Sequence, residues 1–122
     1  MKKILFIEDD PIILKVFQSR LAEEHLDIIV AIDSDEGLRK AKTEHPDLIV
    51  LDIFMGEKSG LDTFAALRAE EKSGARIPVI ILSTDDREET RKKAEELGIE
   101  DYFVKGLVSL REIVARIQEI LA

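Results

Sequence analysis

The sequence predicts an α/β domain: an open, doubly wound sheet of five parallel strands with helices on both faces. Three observations carry this. Five short runs are almost continuously apolar, as strands buried on both faces of a parallel sheet must be. The stretches between them carry apolar residues at helical spacing. Helix start and stop signals fall between the two kinds of segment.

The first strand is "KILFI", residues 3–7. Glu8, Asp9 and Asp10 follow, and Asp10 before Pro11 reads as the N-cap of the first helix, because proline is suited to the first helical position. Ile13, Phe17 and Leu21 mark that helix's buried stripe. "DIIVA" (27–31) is the second strand, and Ser34 before an acidic first turn starts the second helix. "DLIVL" (47–51) is the third strand, and Leu61, Phe64 and Ala65 give the third helix its apolar face. Residues 72–75, "KSGA", read as a flexible loop. "PVIIL" (78–82) is the fourth strand, Asp85 or Asp86 caps "REETRKKAEEL", and Gly98 ends that helix. "DYFV" (101–104) is the fifth strand and Ser109 caps the last helix.

At 122 residues the chain is expected to form one domain, residues 1–122, with no output domain following. Without cysteine there is no disulfide framework and no thiolate site. No stretch approaches the ~20 apolar residues of a membrane span, which leads to the expectation of a cytoplasmic protein without membrane contact. A net charge of −8 argues against a nucleic-acid footprint and for attraction of cations. The basic run Arg91 to Lys93 lies among acids and reads as a solvated helix face.

Sheets of this kind place their sites beyond the carboxyl ends of the strands, at the topological switch point. The residues at those ends are Glu8, Asp9 and Asp10; Asp33; Asp52; Ser83 and Thr84; and Lys105. If the strand order is 2-1-3-4-5, Asp52 faces Glu8 and Asp9 across a small crevice. Three converging carboxylates repel one another unless a cation compensates, and Mg²⁺ suits one or two direct carboxylates, several waters and a phosphate oxygen. A metal, the Lys105 ammonium and the Ser83 hydroxyl around a nucleophilic Asp52 are the parts that in-line phosphoryl transfer needs.

Five places then match one family in order: the acid pair in "ILFIEDDP", the aspartate in "DLIVLDIFM", the last glycine of "MGEKSGL", the hydroxyl in "PVIILST" and the lysine in "DYFVKG". Along essentially its whole length the chain resembles the CheY-like receiver domains of two-component response regulators. The resemblance implies the flavodoxin-like strand order 2-1-3-4-5. It implies Asp52 as phosphoacceptor, and Asp9, Asp52, the backbone carbonyl of Phe54 and, through water, Glu8 as the Mg²⁺ site. Ser83 and Lys105 would hold the phosphoryl group, and Tyr102 would be the aromatic switch. The implied donor is a histidine kinase or histidine phosphotransfer protein. The implied output is an unidentified partner, reached through a face made by helix 4, strand 5 and helix 5, and the domain is expected to be a monomer or a weak dimer through that face. Such a domain supports its own phosphorylation and dephosphorylation without being a turnover enzyme. It stands alone or belongs to a longer regulator or hybrid kinase.

Taken singly, Asp52 reads as a strand-end carboxylate, Glu8 and Asp9 as helix caps, Ser83 as a common strand-end residue, Lys105 as an ordinary surface lysine, and Tyr102 as a strand tyrosine with a solvated hydroxyl. His25 and His45 have no metal-ligand companions and read as structural or surface residues. Phe6, Phe17, Met55 and Phe64 read as packing residues. Gly106 and Gly56 replace the family's usual prolines, so the peptide after Lys105 is expected to be trans or its loop mobile, with Lys105 less firmly placed. Thr84 is expected to narrow the approach to the phosphoryl group, Phe54 to shield it and slow its hydrolysis, and Asp85 to assist a water if it points inward. The alternative activity is a Mg²⁺-dependent phosphohydrolase resembling the haloacid dehalogenase class, but that class needs an acid two residues after its nucleophile, where Phe54 stands. A receiver-like module that is never phosphorylated is the third reading.

Overall fold

The computed structural model describes residues 1–55, 58–71 and 76–122, with the side chains of Phe54, Met55 and Lys58 outside the described part. The elements are β1 (Lys3–Ile7), α1 (Pro11–Ala22), β2 (Asp27–Ala31), α2 (Ser34–Glu44), β3 (Leu48–Leu51), β4 (Phe54–Met55), β5 (Lys58–Ser59), α3 (Gly60–Glu70), β6 (Val79–Ser83), α4 (Glu88–Glu96), β7 (Asp101–Val104) and α5 (Leu110–Leu121). Five strands form a parallel sheet ordered β2-β1-β3-β6-β7, the 2-1-3-4-5 order of the five expected strands. β4 and β5 form a two-residue antiparallel hairpin before α3.

Strand alternation divides the core in two. Leu5, Ile7, Ile49, Leu51, Val79 and Ile81 pack with Phe64 and Leu67 of α3 and Ala94 of α4 on one face. Their neighbours Ile4, Phe6, Leu48, Val50, Ile80 and Leu82 pack with Phe17 and Leu21 of α1 and Ile113 and Ile117 of α5 on the other. Both sets are buried, which is why the central strands are apolar at every position. Phe6, Phe17 and Phe64 lie in this core as expected; Met55 and the loop at 72–75 fall outside the described residues.

Two strands start one residue later than their apolar runs. The Asp47 side chain accepts the Lys3 amide at 2.8 Å, so it caps the edge of β1 instead of extending β3. Pro78 has no N–H to pair, whereas Ser83 pairs with Val104 and joins β6. Asp10 caps α1 as expected, accepting from the amides of Ile12 and Ile13, with Pro11 first in the helix. Gly98 follows α4 in the left-handed region at φ 85°, and Ser109 forms a capping box with Glu112. α2 is capped by Asp33, which accepts the Glu36 amide at 2.8 Å. Ser34 lies inside the helix, where its hydroxyl accepts from Thr63 of α3 at 2.5 Å, so tertiary contact takes this hydroxyl away from capping. Neither Asp85 nor Asp86 occupies the N-cap of α4, which is Arg87, without a side-chain cap bond. His25 and His45 are exposed at helix ends with φ 57° and 50°.

Replacing Asp10 with alanine removes the side-chain acceptor of the Ile12 and Ile13 amides. It is expected to lower the unfolding free energy by about 1 kcal/mol, measured by urea denaturation.

Candidate functional site

Register carries the site. Ile7 pairs with Leu51, so the residues that follow emerge together at the carboxyl ends of adjacent strands. The Asp52 amide donates to Ile7 O and the Glu8 amide to Ala31 O, both at 3.0 Å. On the far side of β6, the Lys105 amide donates to Ser83 O at 2.8 Å. The backbone ladder thus holds Glu8, Asp52, Ser83 and Lys105 before any side chain acts.

The side chains then converge. Lys105 Nζ lies 2.8 Å from Glu8 Oε1 and 3.3 Å from Asp52 Oδ2. Carboxylate oxygens of Glu8, Asp9 and Asp52 all lie within 4.8 Å of one another. Glu8 and Asp52 are buried and Asp9 is exposed, so the cluster opens to solvent on one side. Lys105 is held in place despite the missing proline: its following peptide is trans, and Gly106 adopts φ 88°, which glycine takes without steric penalty.

Burial and a hydrogen bond shared with Asp52 push the Glu8 carboxyl up to about 8, with Lys105 offsetting part of the rise. Burial lowers Lys105's affinity for its proton, but the bonds and charges of Glu8 and Asp52 outweigh it and raise the ammonium above its ordinary value. Glu8 Oε2 is buried with no hydrogen-bond partner. An all-oxygen set of close carboxylates with an orphaned buried oxygen fits a hard dication such as Mg²⁺. Glu8, Asp9 and Asp52 are the side chains that would hold it.

Gly60 is built into this corner. Its amide donates to Ile53 O at 2.6 Å, and a Cβ there would lie 2.4 Å from Ile53 Cα and 2.5 Å from Asp52 O. The last glycine of "MGEKSGL" is therefore a close approach of α3 to the Asp52 backbone.

Ser83 is fully buried, and its hydroxyl accepts the Asp85 amide at 3.1 Å. Tyr102 is buried too, and its hydroxyl donates to Asp85 O at 2.6 Å, so it is not the solvated hydroxyl of the plainer reading. Asp85 does not reach into the cluster to assist a water: its carboxylate accepts from Arg87 and Thr90. Thr84 is exposed. Arg91, expected on a solvated face, lies over the Tyr102 ring at 4.8 Å. Phe54 opens β4 two residues after Asp52; the shielding expected of its side chain, and Gly56, lie outside the described residues.

A family model described as the response regulator receiver domain matches residues 4–118. The chain belongs to this family. Among its relatives, the receiver domain is 38% identical over 120 residues to the alkaline phosphatase synthesis transcriptional regulatory protein PhoP of Bacillus subtilis, covering 98% of this chain and 48% of that protein. It is 37% identical over 121 residues to the transcriptional regulatory protein CpxR of Escherichia coli, covering 99% and 50%. The chain thus spans about half the length of these curated relatives. Among solved structures it is similar to the response regulator protein TrrA from Thermotoga maritima in complex with Mg²⁺ and BeF, at a TM-score of 0.83 and 28% identity, covering 98% of this chain and 99% of that one. It is also similar to the BeF3-activated N-terminal receiver domain of RstA from Klebsiella pneumoniae, at a TM-score of 0.86 and 28% identity, covering 98% of each. No helix of the receiver domain, among the described residues, is long and apolar enough to cross a membrane.

Two predictions follow from this geometry. Gly60→Ala is expected to destabilise the fold by roughly 1–3 kcal/mol in urea titrations, because the contact is with backbone that cannot rotate away. For Glu8, the folded carboxyl binds its proton more tightly than the unfolded one. The stability this contributes is full below the ordinary value of 4.5 and lost as pH rises through about 8. Thermal unfolding without divalent metal should therefore weaken across that window, and Glu8→Gln should remove most of the slope.

Proposed function

We propose that the receiver domain is switched by phosphorylation of Asp52. The observation that carries the reading is the Lys105 ammonium placed between Glu8 and Asp52, beside a carboxylate cluster suited to a dication. An Asp52 oxygen attacks the phosphorus of a phosphohistidine on a histidine kinase or phosphotransfer protein. A P–O bond forms, the P–N bond breaks, and the imidazole leaves with its electron pair and takes up a proton.

Mg²⁺, held by Asp9, Asp52, the Phe54 carbonyl and, through water, Glu8, would neutralise charge on the phosphoryl oxygens. Lys105 keeps its proton and exchanges part of its bonding to Asp52 for a phosphoryl oxygen. Ser83 offers its hydroxyl hydrogen to another. The similar structure that holds Mg²⁺ and BeF supports this reading. One phosphoryl group is taken per cycle, so the domain acts as a switch and not as a turnover enzyme.

Loading then shifts a two-state equilibrium read through Ser83, Tyr102 and the face formed by α4, β7 and α5. The output partner is reached through this face; the relatives named above are transcriptional regulatory proteins.

Incubation with acetyl phosphate and Mg²⁺ is expected to add one phosphoryl group by intact mass, and Asp52→Ala to abolish it. Undiminished labelling of Asp52→Ala, or no labelling of the wild type by acetyl phosphate or by kinases, would sink the proposal.

A further inference from the structure

Asp85 belongs to neither the carboxylate cluster nor its lysine, yet it is buried and every polar group it has is engaged. Its N–H donates to Ser83 Oγ and its carbonyl accepts the Tyr102 hydroxyl. Oδ1 accepts from the Arg87 amide and from Arg87 Nε, each at 3.0 Å. Oδ2 accepts from Arg87 Nη2 at 2.8 Å and from the Thr90 hydroxyl at 2.7 Å. One residue therefore joins the end of β6, the tyrosine of β7 and the first turn of α4. Arg91, next to Thr90 on α4, covers the Tyr102 ring, so that ring is held at its hydroxyl by the loop before α4 and on its face by the helix itself.

We infer that Asp85 is a positioning residue: its carboxylate, anchored to α4 through Arg87 and Thr90, presets the Ser83 hydroxyl and the Tyr102 ring before Asp52 is loaded. The inference rests on the reading of Asp52 as phosphoacceptor and extends it to a residue with no contact to the phosphoryl group.

The physical reason is the distribution of anchors. α4 has no side-chain cap at Arg87, so residues 84–87 would be held at the helix end by backbone alone. The buried carboxylate supplies the missing tie, and its loss strands the Thr90 hydroxyl and the Arg87 amide without their acceptor. The Asp85 side chain is 2% exposed and that of Arg87 66%, so the clamp runs from the surface inward. Arg87's guanidinium holds the Asp85 carboxyl well below the usual carboxylate range, which keeps the clamp ionised through neutral and mildly acidic pH. A loop ordered in advance removes an ordering step from loading; a loop freed from its clamp must be ordered by each phosphoryl transfer.

Tyr102 is the chain's one tyrosine and there is no tryptophan, so tyrosine emission reports this ring alone. The test compares the wild type with Asp85→Asn, Thr90→Val and Thr90→Ser by acrylamide quenching, and by the rate at which acetyl phosphate labels Asp52. Asp85→Asn and Thr90→Val are expected to raise quenching about threefold and slow labelling about fivefold, with the same final extent, as the competent fraction falls. Thr90→Ser keeps the hydroxyl and should restore both to wild-type values, which a general loss of packing would not. If Asp85→Asn does not fold, the two Thr90 variants decide alone. Unchanged quenching in Thr90→Val overturns the clamp, and raised quenching with an unchanged labelling rate overturns its role in loading. A wild type that takes no label, with quenching that still rises in the variants, removes the phosphoacceptor reading and leaves the clamp on Tyr102 standing.

Discussion

Two buried carboxylates stand side by side at the ends of β1 and β3, and the structure around them is a response to that proximity. Backbone pairing of Ile7 with Leu51 leaves Glu8 and Asp52 no choice of position. Their repulsion is met on the same face by Lys105 at the end of β7, brought there by the pairing of Ser83 with Val104. Where the lysine falls short, one Glu8 oxygen is buried without a partner, and burial beside Asp52 raises the Glu8 carboxyl above its ordinary value. A dication is the group that relieves both.

The alternation of the strands assigns the remaining parts to two faces. Continued one residue past the strand ends, it puts Glu8, Asp52 and Lys105 on the side of α1 and α5, and Ser83 with Tyr102 on the side of α4. The charged cluster and the hydroxyl-bearing pair meet only at the rim of the sheet. A chain of hydrogen bonds runs from Ser83 through Asp85 to Tyr102 of β7 and Thr90 of α4.

Much of this was legible in the sequence because it rests on local rules. Doubly buried strands declare themselves as unbroken apolar runs, and Asp10 before Pro11, Gly98 and Ser109 mark helix ends by their own backbone chemistry. The acids and lysine at strand ends became a cluster once the sheet order was applied. What escaped was set by distant contacts. Ser34 is as good a cap as Asp33 until Thr63 claims its hydroxyl. Two-residue strands such as β4 and β5 are too short to show a period. Asp85 is tied to Tyr102 across seventeen positions, and Arg91 leaves its charged helix face for the same ring, neither of which leaves a trace in spacing.

Titration of the receiver domain with Mg²⁺, followed by backbone amide shifts at Glu8, Asp9 and Asp52, tests the central claim most directly. A saturable, single-site response at these residues that disappears in Asp9→Ala is the predicted result. No saturable response, or one that persists unchanged in Asp9→Ala, would contradict it.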